Sequence, residues 1–182
     1  MRSNTKLCQP QFRMRAGVAL GSNLTDRLSN LRAARRTIIG LPGVSPPILS
    51  SWMYETDPVD CEPGAGKFLN AVLEFDFADA PGDLLGKLKE IERELGRPRD
   101  HARNVSRKID LDLLYFGEMR IHDEKLQLPH PRMHLRKFVL QPLADIRPGL
   151  VLPNQTMTVL ELLALADESA RVVRLTNDWE SQ

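Results

Sequence analysis

Asp110 and Asp112 stand two residues apart in Ile109-Asp110-Leu111-Asp112-Leu113-Leu114, just downstream of Arg97, Arg99, Arg103, Arg107 and Lys108. On a strand, alternation puts both carboxylates on one face and Ile109, Leu111 and Leu113 on the other. Their Cα atoms then lie about 6.5–7 Å apart. Carboxylates so placed suit one hard cation, or two bridged cations about 3.5–4 Å apart. A bland alternative is a half-buried strand with a wet face. Against it, Asp is depleted in strands and like charges on one face repel. Magnesium takes one or two protein carboxylates and completes its shell with water and phosphate oxygens. Arginine forks neutralise the phosphate charge that remains. A basic loop feeding into paired acids therefore points to a polyphosphate with its magnesium.

A second group is aromatic and amide. Phe68 and Asn70 share one face of a strand-like run, and Phe138 also flanks polar residues. A planar heterocycle could sit between two phenyl faces and hydrogen-bond an amide that needs both a donor and an acceptor. Taken alone, these residues fit core packing better, with Asn70 closing a gap in the backbone.

Other motifs carry no chemistry. Gly64-Ala65-Gly66-Lys67 lacks the spacing of a phosphate loop, and no G-x-G-x-x-G follows a strand. His130 and His134 are separated by Pro131 and fit no zinc frame, and two cysteines make neither a disulfide framework nor a thiolate metal site.

The elements that must position these groups follow from periodicity. Ala16–Leu20 reads as a strand ending at Gly21-Ser22-Asn23. Leu24, Leu28, Leu31, Ala34, Ile38 and Ile39 recur at helical spacing, with Asn23 or Thr25 as cap and Gly40-Leu41-Pro42-Gly43 as stop. Ile48–Glu55 and Phe68–Phe77 read as strands, with a Pro/Gly-rich loop at 56–67 between them. Pro81 opens a helix that Gly96 closes. Residues 97–108 form a basic loop, Ile109–Phe116 a strand, and Pro129–Arg136 an irregular turn. Thr158–Ala166 is a helix and Arg171–Leu175 a last strand. This is not a regular βα alternation, so an α+β sandwich with a largely antiparallel sheet is expected rather than a doubly wound one.

The chain has 182 residues, 42% hydrophobic and 27% charged, with a formal net charge of +1. That composition fits a globular domain and excludes disorder as the main state. No apolar run is long enough to span a bilayer. We expect a variable tail at 1–13, a single domain at 14–182, a cytoplasmic monomer, and no nucleic-acid or membrane partner. An RNA-gripping domain is the competing reading of the arginine loop. Such surfaces interleave aromatics with basic residues, and this loop has none.

Seven stretches, in order, resemble the 6-hydroxymethyl-7,8-dihydropterin pyrophosphokinase family of folate biosynthesis. They are Gly21-Ser22-Asn23-Leu24, Tyr54 through Val59, Phe68-Leu69-Asn70-Ala71, Ile91-Glu92 with Leu95-Gly96-Arg97, Arg107 through Asp112, Leu128 through Met133, and Phe138-Val139-Leu140 with Pro142-Leu143. The resemblance implies a ferredoxin-like α+β fold and transfer of diphosphate from ATP to the pterin's hydroxymethyl oxygen, releasing AMP. By matched position, Asp110 and Asp112 would hold two magnesium ions. Arg97, Arg99 and Arg107 would lie in a catalytic loop, Arg97 and Arg107 on phosphate. Glu92, Arg99, Leu113, His130 and Arg136 would serve the nucleotide. Phe68 and Phe138 would sandwich the pterin, with Asn70, Thr56 and the backbone near Val59 hydrogen-bonding it. A binder of pterin or ATP without turnover is the further alternative. The chain departs from the family at Val105-Ser106, where Gly-Pro is usual, and at Asp60, Leu135 and Lys137.

Overall fold

The computed structural model describes residues 13–59, 61–96, 106–166 and 171–180. The expected arginines at 97 and 99 therefore lie outside the described residues.

Strand β1 (Met14–Ser22) feeds helix α1 (Arg27–Ile39), whose buried Leu31, Ala34 and Ile38 recur every three or four residues. Its cap is Asp26 rather than Asn23 or Thr25: the Asp26 carboxylate accepts from Ser29 N–H at 3.1 Å. Thr25 instead makes the turn, at φ 55°, and Asn23 is engaged elsewhere.

The strand expected over Ile48–Glu55 is two, β2 (Val44–Ser50) and β3 (Met53–Thr56). The break has a local cause. Ser51 Oγ accepts from Val72 N–H at 2.9 Å, while Trp52 N–H turns away to Asp145 Oδ2 at 3.1 Å. A side chain thus replaces one rung of the ladder. Both strands pair antiparallel with β4 (Phe68–Phe77). Helix α2 (Pro81–Glu94) follows, with Pro81 in its first turn, and Gly96 just beyond its end takes φ 99°, a conformation glycine adopts without strain.

Strand β5 (Asp110–Phe116) pairs antiparallel with β1. A short hairpin, β6 (Ile121–His122) and β7 (Gln127–Leu128), leads to a 3-10 turn at Met133–Leu135. Helix α3 (Lys137–Ile146) was not expected. Pro142 lies inside it, and a proline there hides helical periodicity from a reader of the sequence. Helix α4 (Val159–Leu165) and strand β8 (Val172–Thr176) complete the chain.

The sheet runs β5-β1-β4-β3-β8, with β2 also on β4, every pairing antiparallel. This is the expected α+β architecture. One face carries α1 and α2 over Leu20, Leu69, Leu73, Phe75, Phe77 and Leu111, where Phe77 and Phe116 meet edge to face at 6.4 Å. The other face carries α3 and α4 over Val72, Leu114 and Tyr115. Among the described residues, no helix is long and apolar enough to cross a membrane.

Candidate active site

Register across the sheet assembles the site. Asp110 lies opposite Gly21, Gly21 opposite Asn70, and Asn70 opposite Tyr54. One step along, Asp112 lies opposite Ala19, and Ala19 opposite Val72. Successive even positions of β4 and β5 therefore present Phe68, Asn70, Asp110 and Asp112 on the same face, as alternation requires. Between them β1 offers only Ala19 and Gly21. A Cβ built on Gly21 would lie 3.0 Å from Asn70 Oδ1 and 3.9 Å from the Phe68 ring. Small residues on β1 open a hollow above the sheet.

That hollow is lined by Thr56, Val59, Phe68, Asn70 and Phe138 at one end and by Arg107, Asp110, Asp112 and Arg136 at the other. The two groups that looked separate in the sequence share one cavity. Phe138 enters it from the first turn of α3. Among the described residues, Phe68 and Phe138 do not stack on each other; the paired rings are Phe77 and Phe116 in the core. Thr56 and Asn70 are buried, and Asn70 Nδ2 donates to Thr56 Oγ1 at 2.7 Å. This fixes the amide plane and turns Asn70 Oδ1 over Gly21.

Each acid has an arginine beside it. Arg107 Nη1 donates to Asp110 Oδ1 at 2.7 Å, a short charge-assisted bond. Arg136 Nη1 stands 3.7 Å from Asp112 Oδ2, and its guanidinium lies 5.4 Å from the centre of the Phe138 ring. Arg136 thus joins the acidic and aromatic ends. Arg107 is itself held by Asn23, whose Oδ1 accepts from Arg107 N–H at 2.7 Å.

Glu92, buried on α2, faces the opposite side of β5: its Oε1 accepts from Leu111 N–H at 2.8 Å. That bond sets the backbone between the two acids. A second hollow opens beyond Asp112, lined by Leu85, Leu113, Leu126, Gln127, His130 and Pro131. His130 Nδ1 accepts from Arg132 N–H at 3.3 Å, which leaves the ring proton on Nε2. Burial, then the positive charges of Arg136 and Arg132, lower its pKa from 6.5 to about 4. The imidazole is therefore neutral near pH 7.

Sequence reasoning missed Asn23, read there as a helix cap, and the floor of the hollow. The signal for the floor was present: Ala19 and Gly21 alternate with Val18 and Leu20. The lining of the second hollow left no such pattern, because hairpin and helix residues meet there only in three dimensions.

The chain is similar to proteins of one family. The family model described as 7,8-dihydro-6-hydroxymethylpterin-pyrophosphokinase matches residues 17–148. The 2-amino-4-hydroxy-6-hydroxymethyldihydropteridine pyrophosphokinase of Bacillus subtilis is 45% identical over 131 residues, covering 72% of this chain and 77% of the relative. Its Haemophilus influenzae counterpart is 37% identical over 152 residues, covering 84% and 93%. A mitochondrial folate synthesis bifunctional protein of Arabidopsis thaliana is 40% identical over 148 residues; the match covers 81% of this chain but only 26% of that longer protein. Among solved structures, Plasmodium falciparum HPPK-DHPS with SDX-DHP superposes with a TM-score of 0.68 at 15% identity. It covers 84% of this chain and 44% of that one, and supports the fold.

Proposed function

The chain belongs to the 7,8-dihydro-6-hydroxymethylpterin-pyrophosphokinase family, and we propose that it transfers diphosphate from ATP to the hydroxymethyl oxygen of 6-hydroxymethyl-7,8-dihydropterin, releasing AMP, with the residues of the two hollows. The observation that carries this reading is the convergence of Phe68, Asn70 and Phe138 with Asp110 and Asp112 on a single cavity. A flat heterocycle and a phosphate chain are thereby brought within reach of each other.

Magnesium fits the donor set. Asp110 and Asp112 are half-exposed hard oxygen donors on one strand face. Among the described residues, no group of three or more His, Cys, Asp or Glu could hold a metal. Two carboxylates suffice for an ion that keeps water and phosphate oxygens in its shell. We assign both acids as ligands of two ions that arrive with ATP. Bound there, magnesium supplies neutralisation of phosphate charge and polarisation of the reacting phosphoryl group.

The protein's own residues do the rest. Phe68 and Phe138 grip the ring faces, while Asn70, Thr56 and the backbone near Val59 read its edge. This orients the hydroxymethyl oxygen toward the acids. Arg107 and Arg136, paired with those acids here, exchange them for phosphate oxygens, aided by Arg97 and Arg99. Leu113 and the neutral His130 face the nucleotide, with His130 Nε2–H as a donor. Glu92 holds the β5 backbone so that both acids keep their spacing. Phosphoryl transfer of this kind needs positioning and charge stabilisation more than covalent help. The same reading has the chain acting as a cytoplasmic monomer without nucleic-acid or membrane partners.

The test is AMP release from ATP with the hydroxymethyl pterin and magnesium. Turnover that requires all three supports the reading. ATP cleavage independent of the pterin, or none at all, overturns it.

A further inference from the structure

The loop between β3 and β4 touches the segment entering β5 through a bond that the proposed chemistry does not use. Glu62 Oε1 accepts from the backbone N–H of Ser106 at 3.0 Å. Ser106 Oγ accepts from Asn23 Nδ2 at 3.0 Å, and the Asn23 backbone N–H reaches the Arg107 carbonyl at 3.2 Å. Together with the bonds from Arg107 to Asn23 and Asp110, they form a continuous run. It leads from the loop that carries Val59 and Cys61, both on the hollow's wall, to the arginine beside the first acid.

The run is peculiar in chemistry. The link to Glu62 uses the backbone N–H of Ser106, a donor that proline at this position would lack. The acceptor is a carboxylate whose pKa is held low, first by the Ser106 backbone bond and then by the Ser106 side chain, so it accepts as an anion.

We propose that Glu62 and Ser106 are positioning residues that couple occupancy of the pterin hollow to the placement of Arg107 at the phosphates. The proposal rests on the function given above. A pterin seated against Val59 fixes the loop on which Glu62 sits; Glu62 then holds Ser106, and Ser106 with Asn23 holds Arg107.

The test measures pterin affinity by calorimetry, with and without magnesium and a nonhydrolysable ATP analogue, beside kcat for AMP release. The coupling requires that the analogue tighten pterin binding in the unaltered protein, and no tightening would overturn it. Glu62→Ala should cut that gain about fivefold, a coupling of ordinary size. It should lower kcat by a similar factor while pterin affinity alone stays within about twofold. Glu62→Gln keeps an oxygen acceptor and restores most of the gain. Ser106→Ala keeps the N–H to Glu62 but loses the Oγ that accepts from Asn23, and so keeps only part of the gain. Ser106→Pro behaves like Glu62→Ala, and the double variant Glu62→Ala/Ser106→Pro is no worse than Ser106→Pro alone. An undiminished gain in Glu62→Ala, equal damage from Gln and Ala, or additive losses in the double variant would overturn the coupling. Failure of the unaltered protein to bind pterin or release AMP would remove the functional reading and the coupling with it. Normal turnover with unaffected variants would remove the coupling alone.

Discussion

The roles proposed for individual side chains in the hollow are separable by experiment. Asp112→Ala removes one of two acids and should lower turnover about a thousandfold, the size expected for losing a preorganised charge partner; steady-state AMP release checks this. Phe138→Ala removes a ring face and the surface on which the Arg136 guanidinium lies. Pterin binding should weaken about tenfold by calorimetry. His130 gives a pH signature in the ligand-free protein. Its pKa is about 4 in the fold against 6.5 as a free group, so between these values the unfolded chain binds the extra proton. Stability is then fully present above pH 6.5 and declines as pH falls toward 4. Imidazole NMR should place the folded titration well below 6; a midpoint near 6.5 would refute the burial argument. The two acids were legible in the sequence because paired acids in a strand are unusual, and Arg107 because it closes a basic cluster just before them, whereas Arg136 came only from the family resemblance. The role of Asn23 was not legible, since a turn asparagine reads first as a cap.

The strands set the spacing of these groups, and β1 sets the strands. Gly17 lies opposite Tyr115 and Glu74, and a Cβ at Gly17 would collide with the Tyr115 ring. That ring is pinned: Tyr115 O–H donates to Glu74 Oε2 at 2.6 Å, and Arg147 grips the same carboxylate at 2.7 Å. Gly17→Ala should therefore destabilise the fold by about 1–3 kcal/mol, as overpacking does, seen as a lower denaturant midpoint. The β1, β4, α2 and β5 segments were readable because their periodicity is uninterrupted. The division at Ser51 and helix α3 were not. One depends on a hydroxyl finding Val72, the other on a helix that tolerates Pro142 because its apolar face is buried against the sheet.

At the scale of the molecule, the C-terminal segment returns across the fold to α1. Trp179 is 6% exposed, and its Nε1–H donates to Ser51 O at 2.9 Å, at the junction of β2 and β3. Arg32 donates twice to the Asp178 carbonyl, at 3.0 and 2.8 Å. Trp179→Ala should cost about 3–5 kcal/mol, in the range of large buried aromatics. Equilibrium denaturation would show it, and a midpoint equal to that of the unaltered protein would contradict the packing. No local pattern announces this strap, because its partners are more than a hundred residues away in sequence. The overall α+β class was legible all the same, since it depends on the order of strands and helices rather than on who touches whom.

The lane of Ala19 and Gly21 down β1 means that the hollow is carved by omission. Its depth is set by atoms that are not there, on a strand whose other face stays locked in the core. Adding one methyl group at position 21 would shorten the reach to Asn70 without disturbing any helix. On the proposed function, selection on which ring is admitted acts through a single carbon, and an inhibitor that fills the full depth is most exposed to escape at that spot.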